Sequence, residues 1–357
     1  MGKTESVACE YLKADDVFAD VLNIALYSGK NVVKPEDISE LDGSYMLELS
    51  DEFAGKTVGI KKNSKTQVRK YRDILRMIRL KGTDEDTEYC VRLIAGVEQQ
   101  TNVHYAMPVR DMLYDALEYA EQVKSKAEKN QNRISVKSGS QENIRLTGAE
   151  FLSGMRKNDK LIPVVTIVVY LQPEEWDGPK SLHEMLDFTG IPEKMKKRIP
   201  DYEMILLQPA DYIEIGDSEL KSSLSIVMGL LKRAGSKSEF KDYIDEHSEI
   251  FKKLSYNAAV VINEYCNMGI TVEEINGKES VDMCKAVEEI REDGRREGEL
   301  IGESRGRREG ELIGESRGRE EGKIMAYMDM GVSIEEIAGK LHITLGEVKK
   351  IAAEMNI

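Results

Sequence analysis

The stretch RDILRMIRLKGTDEDTEYCVRLIAGVEQQ, residues 72–100, reads as a β-hairpin. Two apolar-rich runs, Arg72 to Leu80 and Glu88 to Val97, flank Lys81-Gly82-Thr83-Asp84-Glu85-Asp86-Thr87, a linker dense in turn formers. With Asp84 as the turn centre, Asp73 lies eleven residues before it and Glu98 fourteen after it. Both carboxylates therefore reach the same end of the hairpin. Strand side chains alternate with period 2, so Glu98 and Gln100 share a face and Gln99 turns away from it.

Upstream, Asp15 to Tyr27 places Phe18, Val21, Leu22 and Ala25 at helical spacing, and Ser28-Gly29-Lys30 ends the helix, whose acidic edge carries Asp16 and Asp20. Residues 36–52 are acidic and irregular, with one short strand expected at Tyr45 to Leu49. The charge then reverses. Ten bases, including Arg69, Lys70, Arg72 and Arg76, stand between Lys56 and Lys81 against a single acid, Asp73. A solvated strand face and a phosphate-backbone footprint both account for such a run.

Downstream, Pro108 suits the first turn of a helix over Met107 to Lys126, with Arg110 and Tyr114 one turn apart. Lys124 to Glu142 is polar and reads as a flexible excursion. The β-branched run Leu161 to Tyr170 predicts a central strand buried on both faces. Beyond Trp176, segments at 182–186, 220–231 and 251–268 read as helices forming a cap or second unit.

From Gly294 the twelve-residue sequence GRREGELIGESR occurs twice in succession, and glycine recurs at every fourth position to Gly322. Each such glycine costs a helix about 1 kcal/mol relative to alanine. The segment reads either as a solvated helical spacer or as a self-association helix. Ser333-Ile-Glu-Glu336 and Thr344-Leu-Gly-Glu347 are capping boxes opening two short helices, and the surrounding residues are similar to helix-turn-helix segments. A tail serving only protein contacts has nearly the same pattern.

Composition bounds the rest. The 357 residues carry 51 Lys plus Arg against 65 Asp plus Glu, 51 − 65 = −14, which excludes a generally basic nucleic-acid coat. No apolar run approaches the roughly 18 residues of a membrane span, and acids within residues 1–30 argue against a secretory leader. A cytoplasmic location is the default expectation. Cys9, Cys90, Cys266 and Cys284 lie far apart, and His104, His183, His247 and His342 show no ligand spacing, so disulfide, zinc and histidine-metal chemistry have little support. Gly55-Lys56-Thr57 resembles the end of a phosphate loop, but Ser50 stands in place of its first glycine.

Carboxylates are then the metal ligands to consider. Mg²⁺ takes oxygen donors and usually keeps waters; a metal-bound water can attack a phosphodiester while the ion neutralises phosphate charge. Asp73 and Glu98, with Gln100 beside Glu98, fit that need, although acids at strand ends are more often merely solvated.

The succession Arg72-Asp-Ile-Leu-Arg, a strand ending Gly96-Val-Glu-Gln-Gln100, then Met107-Pro-Val-Arg110-Asp-Met-Leu-Tyr114, the run Leu161 to Tyr170 and Trp176 resembles the Rpn family of recombination-promoting nucleases, whose members also carry a transposase label. These belong to the PD-(D/E)XK nuclease superfamily. The resemblance covers about residues 10–270 and implies an α/β fold with an αβββαβ core. It implies a nuclease-like domain over 10–215, a helical extension over 216–290, the Gly/Arg/Glu repeat over 291–323, and the helix-turn-helix-like tail over 324–357.

The implied activity is Mg²⁺-dependent DNA endonucleolysis of low sequence specificity, linked to recombination or mobile elements. The alternative is a catalytically inactive DNA-binding or oligomerising protein that retains the fold. By resemblance Asp73 and Glu98 match the two motif acids and hold the metal with Asp16 or Asp20, and Gln100 stands where the superfamily has lysine. A neutral amide supplies hydrogen bonds but no charge. Arg69, Lys70, Arg72, Arg110 and Tyr114 are the implied DNA contacts, with a homo-oligomer formed through 291–323 and no membrane partner.

Overall fold

The hairpin is the middle of a five-stranded sheet, and β-strand parity decides which helices cover each of its faces. The computed structural model describes residues 3–41, 44–48, 67–71, 73–81, 90–136, 146–213, 220–270 and 280–354. These divide into a unit spanning 1–286 and a second spanning 287–357.

The first unit opens with α1 (Lys3–Leu12) and α2 (Asp15–Tyr27), followed by strands β1 (Ile38–Glu40), β2 (Ser44–Glu48), β3 (Gln67–Tyr71), β4 (Ile74–Lys81) and β5 (Cys90–Gln100). Helix α3 (Met107–Val136) and the short α4 (Gly148–Ser153) lead to β6 (Val164–Tyr170). Then come α5 (Leu182–Met185), α6 (Glu193–Lys196), β7 (Ile205–Leu207), α7 (Leu224–Lys232), α8 (Lys237–Glu246), α9 (Ser248–Phe251), β8 (Leu254–Ser255), α10 (Tyr256–Cys266) and β9 (Ser280–Val281).

The main sheet has the order β1-β4-β5-β6-β7. β4 pairs antiparallel with β1 and β5, whereas β5–β6 and β6–β7 are parallel, so the sheet is mixed. β2 pairs with β3, and β8 with β9, in two small antiparallel ladders.

On one face, Leu75 and Met77 of β4 and Ile94 of β5 form a buried cluster with Leu117 of α3. Met107, at the start of α3, joins Val168, Tyr170, Trp176 and Met204 in a second cluster on that face. Even-numbered β4 residues must then point the other way. Arg76 does so, reaching the Lys13 carbonyl between α1 and α2 at 3.4 Å and pairing with Glu40 at 3.2 Å. Gln99, odd-numbered on β5, also faces this side and donates to the Tyr265 hydroxyl of α10 at 2.8 Å. α1, α2, α7 and α10 pack together here.

Several expectations change. α1 precedes the helix at Asp15 and buries Ala8, Cys9, Tyr11 and Leu12, residues at helical spacing. β1 lies in the stretch read as irregular. The excursion expected from Lys124 is helical as far as Val136, because buried Asn130 anchors α3 by donating to the Gly154 carbonyl and to Asp159; residues 137–145 lie outside the described ones. The helices from α7 to α10 belong to the 1–286 unit, with α10 against α1.

Asn23, fully buried on α2, accepts from the amides of Val32 and Val33 and donates to the Val33 carbonyl. It thereby holds the turn that Ser28 (φ 54°) and Gly29 (φ 84°) begin in the left-handed region. Asn23→Ala strands these groups and is expected to cost about 1–3 kcal/mol, read as a lower urea midpoint.

The second unit takes in most of α11 (Met283–Asp329), then α12 (Ile334–Leu341) and α13 (Leu345–Glu354). Ile324, Ile337 and Val348, one from each helix, form its buried core. The repeat is continuous helix, carried on i,i+4 pairs such as Arg295–Glu299 at 2.6 Å and Arg317–Glu321 at 2.8 Å. Its glycines do not make a straight stripe. At 3.6 residues per turn, every fourth position advances about 40°, so the row winds around the helix between Gly294 and Gly322 instead of presenting one face to a partner.

Candidate active site at the end of the hairpin

The last described pair of the β4–β5 ladder is Ile74 with Val97. One step further the register sets Asp73 opposite Glu98, on the face that Leu75, Met77 and Ile94 share against α3. The Asp73 carboxylate accepts the Gln99 amide at 3.0 Å, which fixes it to the end of β5.

Glu98 is fully buried. Its Oε2 accepts from Arg110 Nη2 at 3.0 Å, and the Arg110 side chain is partly open to solvent. Pro108 starts α3 where a missing N–H is tolerated, so Arg110 sits in the first turn, above the end of β5. Tyr114, one turn on, lies with its ring centroid 5.6 Å from the guanidinium and accepts from Nε at 3.4 Å. Burial works against the Arg110 charge, but Glu98 and then the Tyr114 hydroxyl outweigh it and raise its pKa above the ordinary value. Burial, then Glu98, raises the Tyr114 phenol as well.

Gln100, nearly buried, donates its amide to the Gln99 carbonyl at 2.8 Å. Cys9 of α1 brings a second element close: burial raises its thiol pKa, Lys13 opposes this, and Asp73, Glu10 and Glu98 add to it. The thiol is thus within electrostatic reach of both candidate acids. Sequence reasoning passed over α1, although its i, i+3, i+4 apolar spacing was readable. Exposed Glu10 on this helix pairs with Lys13 at 2.6 Å.

Other expected site residues fall elsewhere. Asp16 is exposed in the first turn of α2, and among the described residues no three His, Cys, Asp or Glu side chains gather as a metal cluster, so it does not join Asp73 and Glu98. Asp20 is buried and accepts the Lys221 and Ser222 amides at 3.0 and 2.7 Å, a structural tie to the chain entering α7. Arg69 and Lys70 lie on β3, and Arg72 lies outside the described residues, as do Lys56, Lys61, Lys62 and Lys65. Arg76 is buried in the interior, and Tyr114, 5% exposed, braces Arg110. The phosphate-loop-like residues 55–57 are likewise outside the described set.

The donor set fits Mg²⁺ in its sparsest form. This ion is commonly held by one or two carboxylates together with waters and substrate phosphate oxygens, and Asp73 with Glu98 supplies two. Arg110 competes for one Glu98 oxygen.

Residues 150–261 match the family model described as "Putative transposase, YhgA-like". This is the Rpn/YhgA-type family that the residue order resembles. No curated protein and no solved structure gives a match. The YhgA-like stretch runs from within α4 through β6, the β6–β7 connection, β7 and the following helices to about the middle of α10; Asp73 and Glu98 lie before it.

Proposed function

We propose that this chain is a Mg²⁺-dependent DNA endonuclease of the PD-(D/E)XK type, of low sequence specificity, acting in recombination or on mobile elements. The observation that carries the reading is the register that sets Asp73 opposite Glu98 on one face at the end of β4–β5. The family description over 150–261 supports the mobile-element link.

Asp73 and Glu98 are the residues that would hold the ion. When bound, Mg²⁺ polarises the phosphate and acidifies a coordinated water. The Gln99 amide keeps Asp73 aimed, and Arg110 supplies the countercharge of buried Glu98. Partly exposed Arg110 is also the cation nearest the acids on α3, suited to a phosphate oxygen. Gln100 offers amide hydrogens without charge, so it can orient a water but not neutralise developing charge.

A second reading is a DNA-binding protein that keeps the fold without the chemistry. Glu98 committed to Arg110, and Gln100 committed to a main-chain carbonyl, favour it. Nicking of supercoiled plasmid by the full chain separates the two. Nicking with Mg²⁺ that EDTA suppresses is the expected result; retention of plasmid without nicking gives the place to the scaffold reading.

A further inference from the structure

Between β6 and β7 the chain makes a hairpin-like excursion. Ser181 bridges Glu203, the Leu182 amide donates to the Tyr202 carbonyl at 3.0 Å, and the Met204 amide donates to the Lys180 carbonyl at 2.8 Å. Tyr202 fastens it to the body by donating to Asp115 of α3 at 2.6 Å, and His183 Nε2 donates to the Ile199 carbonyl at 2.9 Å. Its tip is therefore held and not trailing.

That tip is strongly basic. Glu193 to Arg198 carries one acid and four bases, 4 − 1 = +3, in a chain whose net charge is −14. Lys194, Lys197 and Arg198 are exposed, and none of them pairs with a described acid within 4 Å. Lys196 instead lies 4.8 Å from the Phe188 ring centroid, which supports the tip from within. The other acids of the excursion stand away from the tip: Glu184, Asp201 and Glu203 lie at its base, the first two accepting the amides of Lys180 and of His183 and Tyr202, and Asp187 accepts the Thr189 amide. Three solvated cations are left facing outward.

The base of the excursion is close to the candidate acids in register. Ile205 aligns through Ile167 with Val97. Glu203 is then about three residues along the strands and two strands across from Glu98, roughly 15 Å, less than half of the ~34 Å turn of B-DNA. The register thus sets the base from which the tip projects on the scale of one duplex turn from the acids.

We propose that Lys194, Lys197 and Arg198 grip the phosphate backbone of duplex DNA. This rests on the DNA reading above and names a surface for it. The contact proposed is electrostatic, to phosphate oxygens, which carry no sequence information.

The test is fluorescence anisotropy of a labelled mixed-sequence duplex with the full chain across a KCl series. Replacing Lys194, Lys197 and Arg198 together by alanine is expected to weaken binding about tenfold or more at low salt and to flatten the slope of log K against log salt by about 2–3, since each phosphate contact contributes about 0.9. A charge-conserving triple, Lys194→Arg, Lys197→Arg and Arg198→Lys, is expected to bind as wild type does and controls for folding. An alanine triple with wild-type affinity and slope overturns the proposal, as does a wild-type chain that binds anionic vesicles but no duplex. Plasmid nicking is read separately: duplex binding lost in the alanine triple, with no nicking by wild type, sustains this surface and removes the nuclease reading.

Discussion

Asp73→Asn is expected to reduce Mg²⁺-dependent nicking by about 10²–10³-fold, the scale on which loss of one preorganised electrostatic group acts, with duplex affinity unchanged. The substitution keeps an oxygen able to accept the Gln99 amide at the end of β5, so the local fold is retained while the negative charge is removed. Glu98→Gln is expected to do the same to nicking and also to free Arg110, since the buried ion pair loses its anion. The two single variants and the double are compared by initial nicking rates at matched Mg²⁺. Groups that act on one ion are non-additive, so the double should be little worse than either single. Wild-type rates in both singles would remove Asp73 and Glu98 from the chemistry, and a strictly multiplicative double would argue that they serve different ions or different steps.

The hairpin was legible because its two signals agree: apolar runs of strand length flank a linker of turn formers, and the acids fall where period-2 alternation puts them on one face. Pairing of Glu98 with Arg110 was not legible, since it depends on how the first turn of α3 docks over the end of β5. Length misled at residues 124–136, where polar composition read as a loop because the anchor, Asn130, is a single buried amide bonding to Gly154 and Asp159. α1 was missed for the opposite reason. Its apolar positions are small or mixed, Ala8, Cys9, Tyr11 and Leu12, so its pattern is faint, yet these four are buried to within 5%.

Charge runs show the same limit. The dense run from Lys56 to Lys81 contains Arg76, which the fold turns inward against Glu40, so counting bases overstates that footprint. The shorter run Lys194 to Arg198 lies between Pro192 and Pro200 and drew no notice in sequence, but a closed hairpin base holds it out from the body. Local charge density is written in the chain; which cations remain facing solvent is decided only by packing.

Arg110→Ala is expected to be the most destabilising of the site substitutions. Breaking a buried pair by removing one partner costs about 3–5 kcal/mol, because the remaining charge stays in the interior. Glu98 is fully buried, whereas Arg110 is partly solvated, so the penalty is asymmetric: losing the arginine leaves a buried carboxylate without its countercharge, but losing the glutamate leaves a guanidinium already in contact with solvent. Thermal unfolding should therefore drop on the order of 10 °C for Arg110→Ala, at about 2–4 °C per kcal/mol for a unit of this size, and by much less for Glu98→Gln. If Asp73 and Glu98 hold Mg²⁺, the ion supplies the positive charge that the variant lacks, and added Mg²⁺ should raise the melting temperature of Arg110→Ala more than that of wild type. In Arg110→Ala combined with Asp73→Asn that recovery should disappear. Equal, small Mg²⁺ effects on all three proteins would mean that the arginine is the only cation this pair of acids accommodates, and would point to the binding scaffold in place of the nuclease.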